Sequence, residues 1–338
     1  MPDLALIIIG IFSSPFMFLA VVSALLLMLV NGWTDAPVSI ASAVTTGALT
    51  LKQASCLSAG CNFLGAIAVS FLGNSVAVSV AELSGLGTAS CSMASVGFTA
   101  ALLSVAVWSL IALYLGLPTS ESHALISSLA GASACIFGVT AINKGAIIKV
   151  IIGLLVSIVP VVFLSKKVAF FMRKRLFTHS DQQKFKRLQV FGAMMSSFAH
   201  GAQDGQKFAG VFAVQTALIM GNNGKVSIPL YAVGLSAVLI SVGMLLGGKK
   251  IVNALSQFSP KDALGGFSAD VTSSVCLVLL SVLGIPVSTT STKTSAVLGA
   301  GGQSFKKGSK MFLAWGLTFP VCFVFGYCLT VWLKRFAV

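Results

Sequence analysis

Between Asp3 and Lys52 the chain carries a single charged residue, Asp35, and no lysine or arginine comes before Lys52. Long apolar runs recur downstream, among them residues 146–164. Hydrocarbon offers the backbone no hydrogen bonds, so a run of about 20 apolar residues crosses it as a helix, which satisfies its own polar groups. Composition agrees: 56% of residues are hydrophobic, 9% are charged and the mean hydropathy is +0.97. Soluble domains carry about 25% charged residues, and so apolar a chain could not cover a soluble surface. The expectation is an all-α polytopic membrane protein. With no basic segment ahead of it, the first apolar stretch reads as a retained helix and not a cleaved signal.

The net charge of +14 is not a nucleic-acid signal, because the basic residues lie mostly between apolar segments. The largest cluster is Lys166, Lys167, Arg173, Lys174, Arg175, Lys184, Lys186 and Arg187. The positive-inside rule makes this central loop cytoplasmic. Lys249 with Lys250, and Lys306, Lys307 and Lys310, read as marks of other loops. The seven cysteines form no CxxC pair and read as small core residues, not a disulfide frame or metal site. Neither a Walker A nor a GxGxxG motif is present, and no Ser-His-Asp arrangement supports hydrolysis, so an enzyme is not expected.

Several apolar segments are too short to cross alone: 36–49, 123–140, 189–199, 208–220 and 294–302. They cluster around polar motifs, and those motifs come in pairs. NGWTD ends at Asp35 and HGAQD ends at Asp204, 169 positions later. GLPTSESHAL carries Pro118 and GIPVSTTSTKT carries Pro286, 168 positions apart. Two motif pairs with nearly one offset imply an internal repeat of about 168 residues. The boundaries read as a first membrane repeat at 1–165, a basic cytoplasmic loop at 166–188 and a second membrane repeat at 189–338. Short, Gly- or Pro-interrupted segments at matching places in two halves point to a transporter site between discontinuous helices. An odd number of crossings per half would make the repeat inverted.

The paired motifs differ in chemistry. A lone carboxylate at membrane depth costs roughly 2.5–3.5 kcal/mol. Asp35 and Asp204 sit among amides, hydroxyls and the glycines Gly32 and Gly201, which permit unwinding or close backbone approach. Unwound backbone plus carboxylate makes a cation or proton site; the plainer alternative is a helix cap. The Pro-Ser motifs read as helix N-termini with Pro in the first turn. Free N–H groups, the positive end of the dipole and the hydroxyls of Ser120, Ser122, Ser288, Thr289 and Thr290 form an anion cradle. Ordinary capping is again the alternative. Phosphate keeps a proton that a carboxylate can accept, whereas sulfate does not. Asp35, Asp204 and Glu121 therefore favour phosphate.

At these residues the sequence resembles the inorganic phosphate transporter family, the Pho4-type permeases. That family carries an NGANDFANA-like motif, an HGANDVQNA-like motif and two PxSTTH-like motifs. They stand here as NGWTDAPVS (31–39), HGAQDGQKFAG (200–210), GLPTSESHAL (116–125) and GIPVSTTSTKT (284–294). The resemblance implies two inverted repeats with discontinuous or re-entrant helices meeting near the midplane. It also implies import of inorganic phosphate across the plasma membrane, driven by sodium or protons, with no other cofactor. The substrate-binding set expected at these positions is Thr34, Asp35, Ser120, Glu121, Ser122, Gln203, Asp204, Lys207, Ser288, Thr289 and Thr290. The coupling set is Asn31, Asp35, Glu121, His123, His200 and Asp204, with sodium near Asp35 and Asp204. Expected partners are phosphate, the coupling ion and the lipid bilayer, with a homo-oligomer left open and nucleic acid excluded.

The departures are as informative. Thr34 and Gln203 replace the asparagines before the aspartates, Lys207 replaces a later asparagine, Glu121 a threonine and Ser291 a histidine. An ammonium at position 207 would stand where relatives hold sodium, and Glu121 would carry the driving proton. A snorkelling lysine is the alternative for Lys207, and more so for Lys293. Other readings of the chain are a permease for sulfate or another tetrahedral oxyanion, an anion channel, or a phosphate sensor that no longer transports.

Overall fold

A computed structural model describes residues 4–84, 86, 89–141, 144–176, 182–221, 228–301 and 305–337. Among them there is no strand. The first half contains α1 (Leu4–Phe12), α2 (Pro15–Thr34), a 3-10 turn over Ala36–Ile40, α3 (Ala41–Thr45), α4 (Leu51–Leu72), α5 (Ser75–Ser84), α6 (Cys91–Leu115), α7 (Glu121–Phe137) and α8 (Lys144–Leu176). The second contains α9 (Gln182–Ile219), α10 (Leu230–Leu245), α11 (Lys249–Ser256), α12 (Ala263–Val282), α13 (Thr289–Gly301) and α14 (Phe305–Lys334). Six helices among the described residues are long and apolar enough to cross a membrane, or seven if α10 and α11, bent by 73°, form one span. Large apolar side chains such as Phe71, Leu72 and Phe163 remain on the outer surface, where lipid would meet them. The chain is a membrane protein.

The two halves pack against each other through glycines. A Cβ on Gly32 of α2 would stand 2.1 Å from the Ile240 carbonyl oxygen of α10, and a Cβ on Gly201 of α9 would stand 2.1 Å from that of Asn62 in α4. Gly243 of α10 is as close to Leu29, at 2.1 Å, and Gly65 of α4 to Phe198, at 2.0 Å. Gly201 and Phe198 stand 169 positions after Gly32 and Leu29, while Ile240 and Gly243 stand 178 after Asn62 and Gly65. Each contact thus recurs with the halves exchanged. Before each Pro-Ser motif a helix stops at a left-handed glycine, Gly116 with φ 66° and Gly284 with φ 69°, a conformation a Cβ disfavours.

Several expectations change. The break at the first Asp motif exists: α2 ends at Thr34, and Pro37, with no N–H to donate, lies in the 3-10 turn. The second motif contains no break. Helix α9 runs unbroken through His200 and Lys207, because Gln206 occupies the position of Pro37 and keeps its N–H. Gly32 and Gly201 serve close approach and not unwinding. Most of the basic segment expected as a loop is helical, formed by the ends of α8 and α9. With 38 residues α9 is about 57 Å long against about 30 Å of hydrocarbon, so its basic end can project into water. Lys249 and Lys250 open α11, and Lys306, Lys307 and Lys310 fall within α14. Of the cysteines only Cys322 is buried, while Cys56, Cys91 and Cys328 are exposed; an apolar outer face suits a thiol as well as a core does. Within GLGTAS (85–90), residues 85, 87 and 88 lie outside the described residues.

Candidate functional site

Four helices bring the motifs together. Helix α2 presents Asn31 and Thr34 on its last turn, and Asp35 follows at its C-cap. Helix α7 starts at Glu121, capped by Ser120, whose Oγ accepts from the His123 N–H at 3.2 Å. Helix α13 starts at Thr289 after Ser288, whose Oγ accepts from the Ser291 N–H at 3.0 Å. Helix α9 supplies His200, Asp204 and Lys207 from its uninterrupted middle. The prolines precede these caps instead of opening the first turn. Trp315 donates to the Pro118 carbonyl at 3.0 Å and so fixes the approach to α7.

The contacts form one buried network. Asn31 Nδ2 donates to Glu121 Oε2 at 2.9 Å and to Asp204 Oδ2 at 3.1 Å. The Thr34 hydroxyl lies against the other oxygen of Glu121 and 2.9 Å from the Val30 carbonyl. Lys207 Nζ donates to Asp204 Oδ1 at 2.5 Å, Ser122 Oγ at 2.6 Å and the Val287 carbonyl at 2.5 Å. Ser122 Oγ also reaches that carbonyl at 3.3 Å, which ties the start of α7 to the segment ahead of α13. Thr289 Oγ1 stands 3.3 Å from Asp35 Oδ2 and 3.2 Å from Asp204 Oδ2, bridging the two repeat-related aspartates. Every one of these side chains is at most 8% exposed.

One carboxylate cluster points to a cation. Asp35, His200 and Asp204 each offer a ligand atom within 4.8 Å of the others. His200 Nδ1 is 2.7 Å from Asn62 Oδ1, while the Asn62 amide nitrogen donates to the Ser58 carbonyl at 2.8 Å. That places hydrogen on Nδ1 and, in the neutral ring, a lone pair on Nε2, which faces Asp204 Oδ2 at 3.3 Å. Two charged carboxylates at such spacing repel by about 3–4 kcal/mol at an effective dielectric of 20, which a cation between them would offset. The buried oxygens Asn31 Oδ1 and Asp35 Oδ1 have no hydrogen-bond partner among the described residues. Oxygen donors of this kind suit a hard cation.

Some expected residues lie apart from the network. Gln203 turns away, donating to the Ile285 carbonyl at 3.0 Å and accepting from Ser281. Ser120 and Ser288 act as helix caps. His123 stacks on Phe319 with ring centroids 4.8 Å apart. Thr290 is buried, and its hydroxyl has no hydrogen-bond partner among the described residues. Asn62 was not anticipated; a lone carboxamide inside the apolar segment 54–73 was its only signal.

The model of the phosphate transporter family matches residues 31–326. The chain belongs to that family. It is 31% identical over 322 residues to a probable low-affinity inorganic phosphate transporter of Bacillus subtilis, covering 91% of this chain and 94% of that one. A relative of the same description in Rhizobium meliloti is 30% identical over 313 residues, covering 88% and 90%. A solved structure of a protein described as the sodium-dependent phosphate transporter superposes with a TM-score of 0.78 at 20% identity, over 95% of this chain and 100% of that one; this likeness supports the fold. The family and these relatives are transporters, not enzymes.

Proposed function

We propose that this protein is a secondary active transporter that imports inorganic phosphate across the plasma membrane by cation symport, with its two repeats inverted in the membrane. One observation carries the reading: both Asp motifs and the starts of both Pro-Ser helices converge on one buried network through Thr289, Asp204, Lys207 and Ser122. Phosphate would lie against the hydroxyls and N–H groups where α7 and α13 begin. The exchanged glycine contacts between the halves support a twofold arrangement of moving parts.

Coupling is divided between two places. Lys207 holds Asp204 as a fixed cation, in the position where the family motif has an asparagine. The trio Asp35, His200 and Asp204, with Asn31 Oδ1, holds the mobile cation. Sodium is suggested by the structural neighbour, which is sodium-dependent by name, and a proton by the contacts of Glu121. The single Thr34 hydroxyl hydrogen cannot serve both the Val30 carbonyl and Glu121; a protonated Glu121 donating to Thr34 satisfies both. Labelled phosphate uptake into proteoliposomes, with sodium and pH gradients imposed separately and sulfate as competitor, tests the reading. Accumulation that sulfate leaves intact is the expected result, and the effective gradient names the ion. Uptake that only dissipates a phosphate gradient would mean a channel, and no uptake a sensor.

A further inference from the structure

A second buried charge cluster lies outside the network. Lys293 on α13 is ion-paired with Asp270 Oδ1 on α12 and donates to Ser196 Oγ on α9 at 3.1 Å. Gln189 Nε2 on α9 donates to Asp270 Oδ2 at 2.5 Å. All four side chains are at most 3% exposed.

The chemistry repeats that of the main site. There an ammonium, Lys207, meets Oδ1 of Asp204 and the hydroxyl of Ser122, while the amide of Asn31 meets Oδ2. Here Lys293, Asp270, Ser196 and Gln189 take the same four roles on the same atoms. Ser196 lies four residues before His200 on α9, and Lys293 four residues after Thr289 on α13. At its nearest members the second cluster is therefore about one helical turn from the first along both helices, and Gln189 lies about two turns further along α9. It lies toward the end of α9 that carries Arg187, Lys186 and Lys184. The Gln189 Oε1 atom is buried there without a hydrogen-bond partner among the described residues.

The first half does without such a cluster. At the repeat offset of 168 or 169, the first half has Ala20, Leu27, Leu102 and Leu125 in these four places. All four belong to a continuous apolar core, as does Phe98, whose counterpart Gly266 lets the Gln189 side chain in. Apolar residues often replace a buried ion pair without loss of stability, and ionisable groups kept at membrane depth are functional by default. Both oxygens of Asp270 are already engaged, so a metal cation has little to bind.

We propose that the Lys293–Asp270–Ser196–Gln189 cluster is a second, transient oxyanion station. Phosphate leaving the main site moves one turn along α13, takes the Lys293 ammonium from Asp270 and offers its own P–OH to Gln189 Oε1. It then passes to the basic rim. The inference rests on the phosphate reading above.

The experiment is equilibrium binding of labelled inorganic phosphate to the purified full chain, paired with phosphate exchange in proteoliposomes. Wild type is expected to show a tight and a weak component. The double variant Asp270→Leu/Lys293→Leu, which copies the first half, is expected to keep the tight component, lose the weak one and slow exchange by about tenfold, as loss of one charge-assisted hydrogen bond implies. The tight component also reports that the variant is folded. If it does not fold, Gln189→Ala replaces it, with the weak component weakened and the ion pair kept. Lys293→Arg is expected to retain exchange, because a guanidinium binds phosphate but does not release its proton. Exchange lost in Lys293→Arg would make the pair a proton carrier and overturn the station. Wild-type exchange in the double variant, or a single component in wild type, overturns it as well. Absence of any tight component in wild type would instead overturn the phosphate reading and the station with it.

Discussion

Lys207→Asn restores the family's amide and tests whether an ammonium has taken the place of a cation. Lys207 is 2% exposed and gives hydrogen bonds to Asp204, Ser122 and the Val287 carbonyl. Removing one partner of a buried ion pair costs about 3–5 kcal/mol. The asparagine returns one neutral hydrogen bond, about 1 kcal/mol. In sodium-free buffer the variant should therefore be less stable by about 2–4 kcal/mol. Sodium binding only the folded state adds about 1.4 kcal/mol at ten times its Kd and about 2.7 kcal/mol at a hundred times, which recovers much of the loss. Thermal unfolding in detergent, titrated with sodium chloride against choline chloride, measures this directly. The variant's Tm should climb with sodium more steeply than the wild type's, and its phosphate uptake should become more dependent on sodium. A wild type that responds to sodium as strongly as the variant would refute the reasoning, because the ammonium would then not be filling a cation's place.

Gly201→Ala and Gly32→Ala should each lower Tm by the equivalent of about 1–3 kcal/mol, since the new methyl meets a backbone carbonyl at 2.1 Å. A Cβ at Gly60 or Gly234 would have nothing within 4 Å, so Gly60→Ala and Gly234→Ala should be neutral or raise Tm by the equivalent of up to about 1 kcal/mol. Ser288→Ala removes the cap that accepts from the Ser291 N–H and should cost about 1 kcal/mol together with phosphate affinity, read by equilibrium binding; unchanged affinity would count against the cradle at α13. Asn62→Leu leaves His200 Nδ1 without its acceptor. It should spare phosphate binding and weaken gradient-driven accumulation in proteoliposomes.

Spacing made the scaffold legible, and side-chain pairing did not follow from it. The offset between Asp35 and Asp204 reappears in space between the glycine contacts of α2 and α9, because backbone approach depends only on where side chains are missing. The left-handed Gly116 and Gly284 obey the same rule. Where one residue decides a local conformation, the repeat misleads. Pro37 packs onto Gly248 at the bend between α10 and α11 and breaks its helix, while Gln206 stays helical and its Oε1 accepts from the Val76 N–H at the start of α5, at 3.1 Å. Both copies thus brace a short helix, one by shape and one by a hydrogen bond, and only the first needs a break. The partner of Lys293 was likewise out of reach. Asp270 is a lone acid at the edge of an apolar segment, and nothing local distinguishes it from a helix cap. Its meaning emerges only when α12, α13 and α9 meet and its first-half counterpart proves to be Leu102. A transporter with two related halves needs a symmetric frame to exchange states, but phosphate arrives at one face and leaves at the other. If phosphate leaves by way of Lys293 and Asp270, as proposed, these polar residues of the second half, on the side of the basic rim, break the symmetry in the direction that release requires.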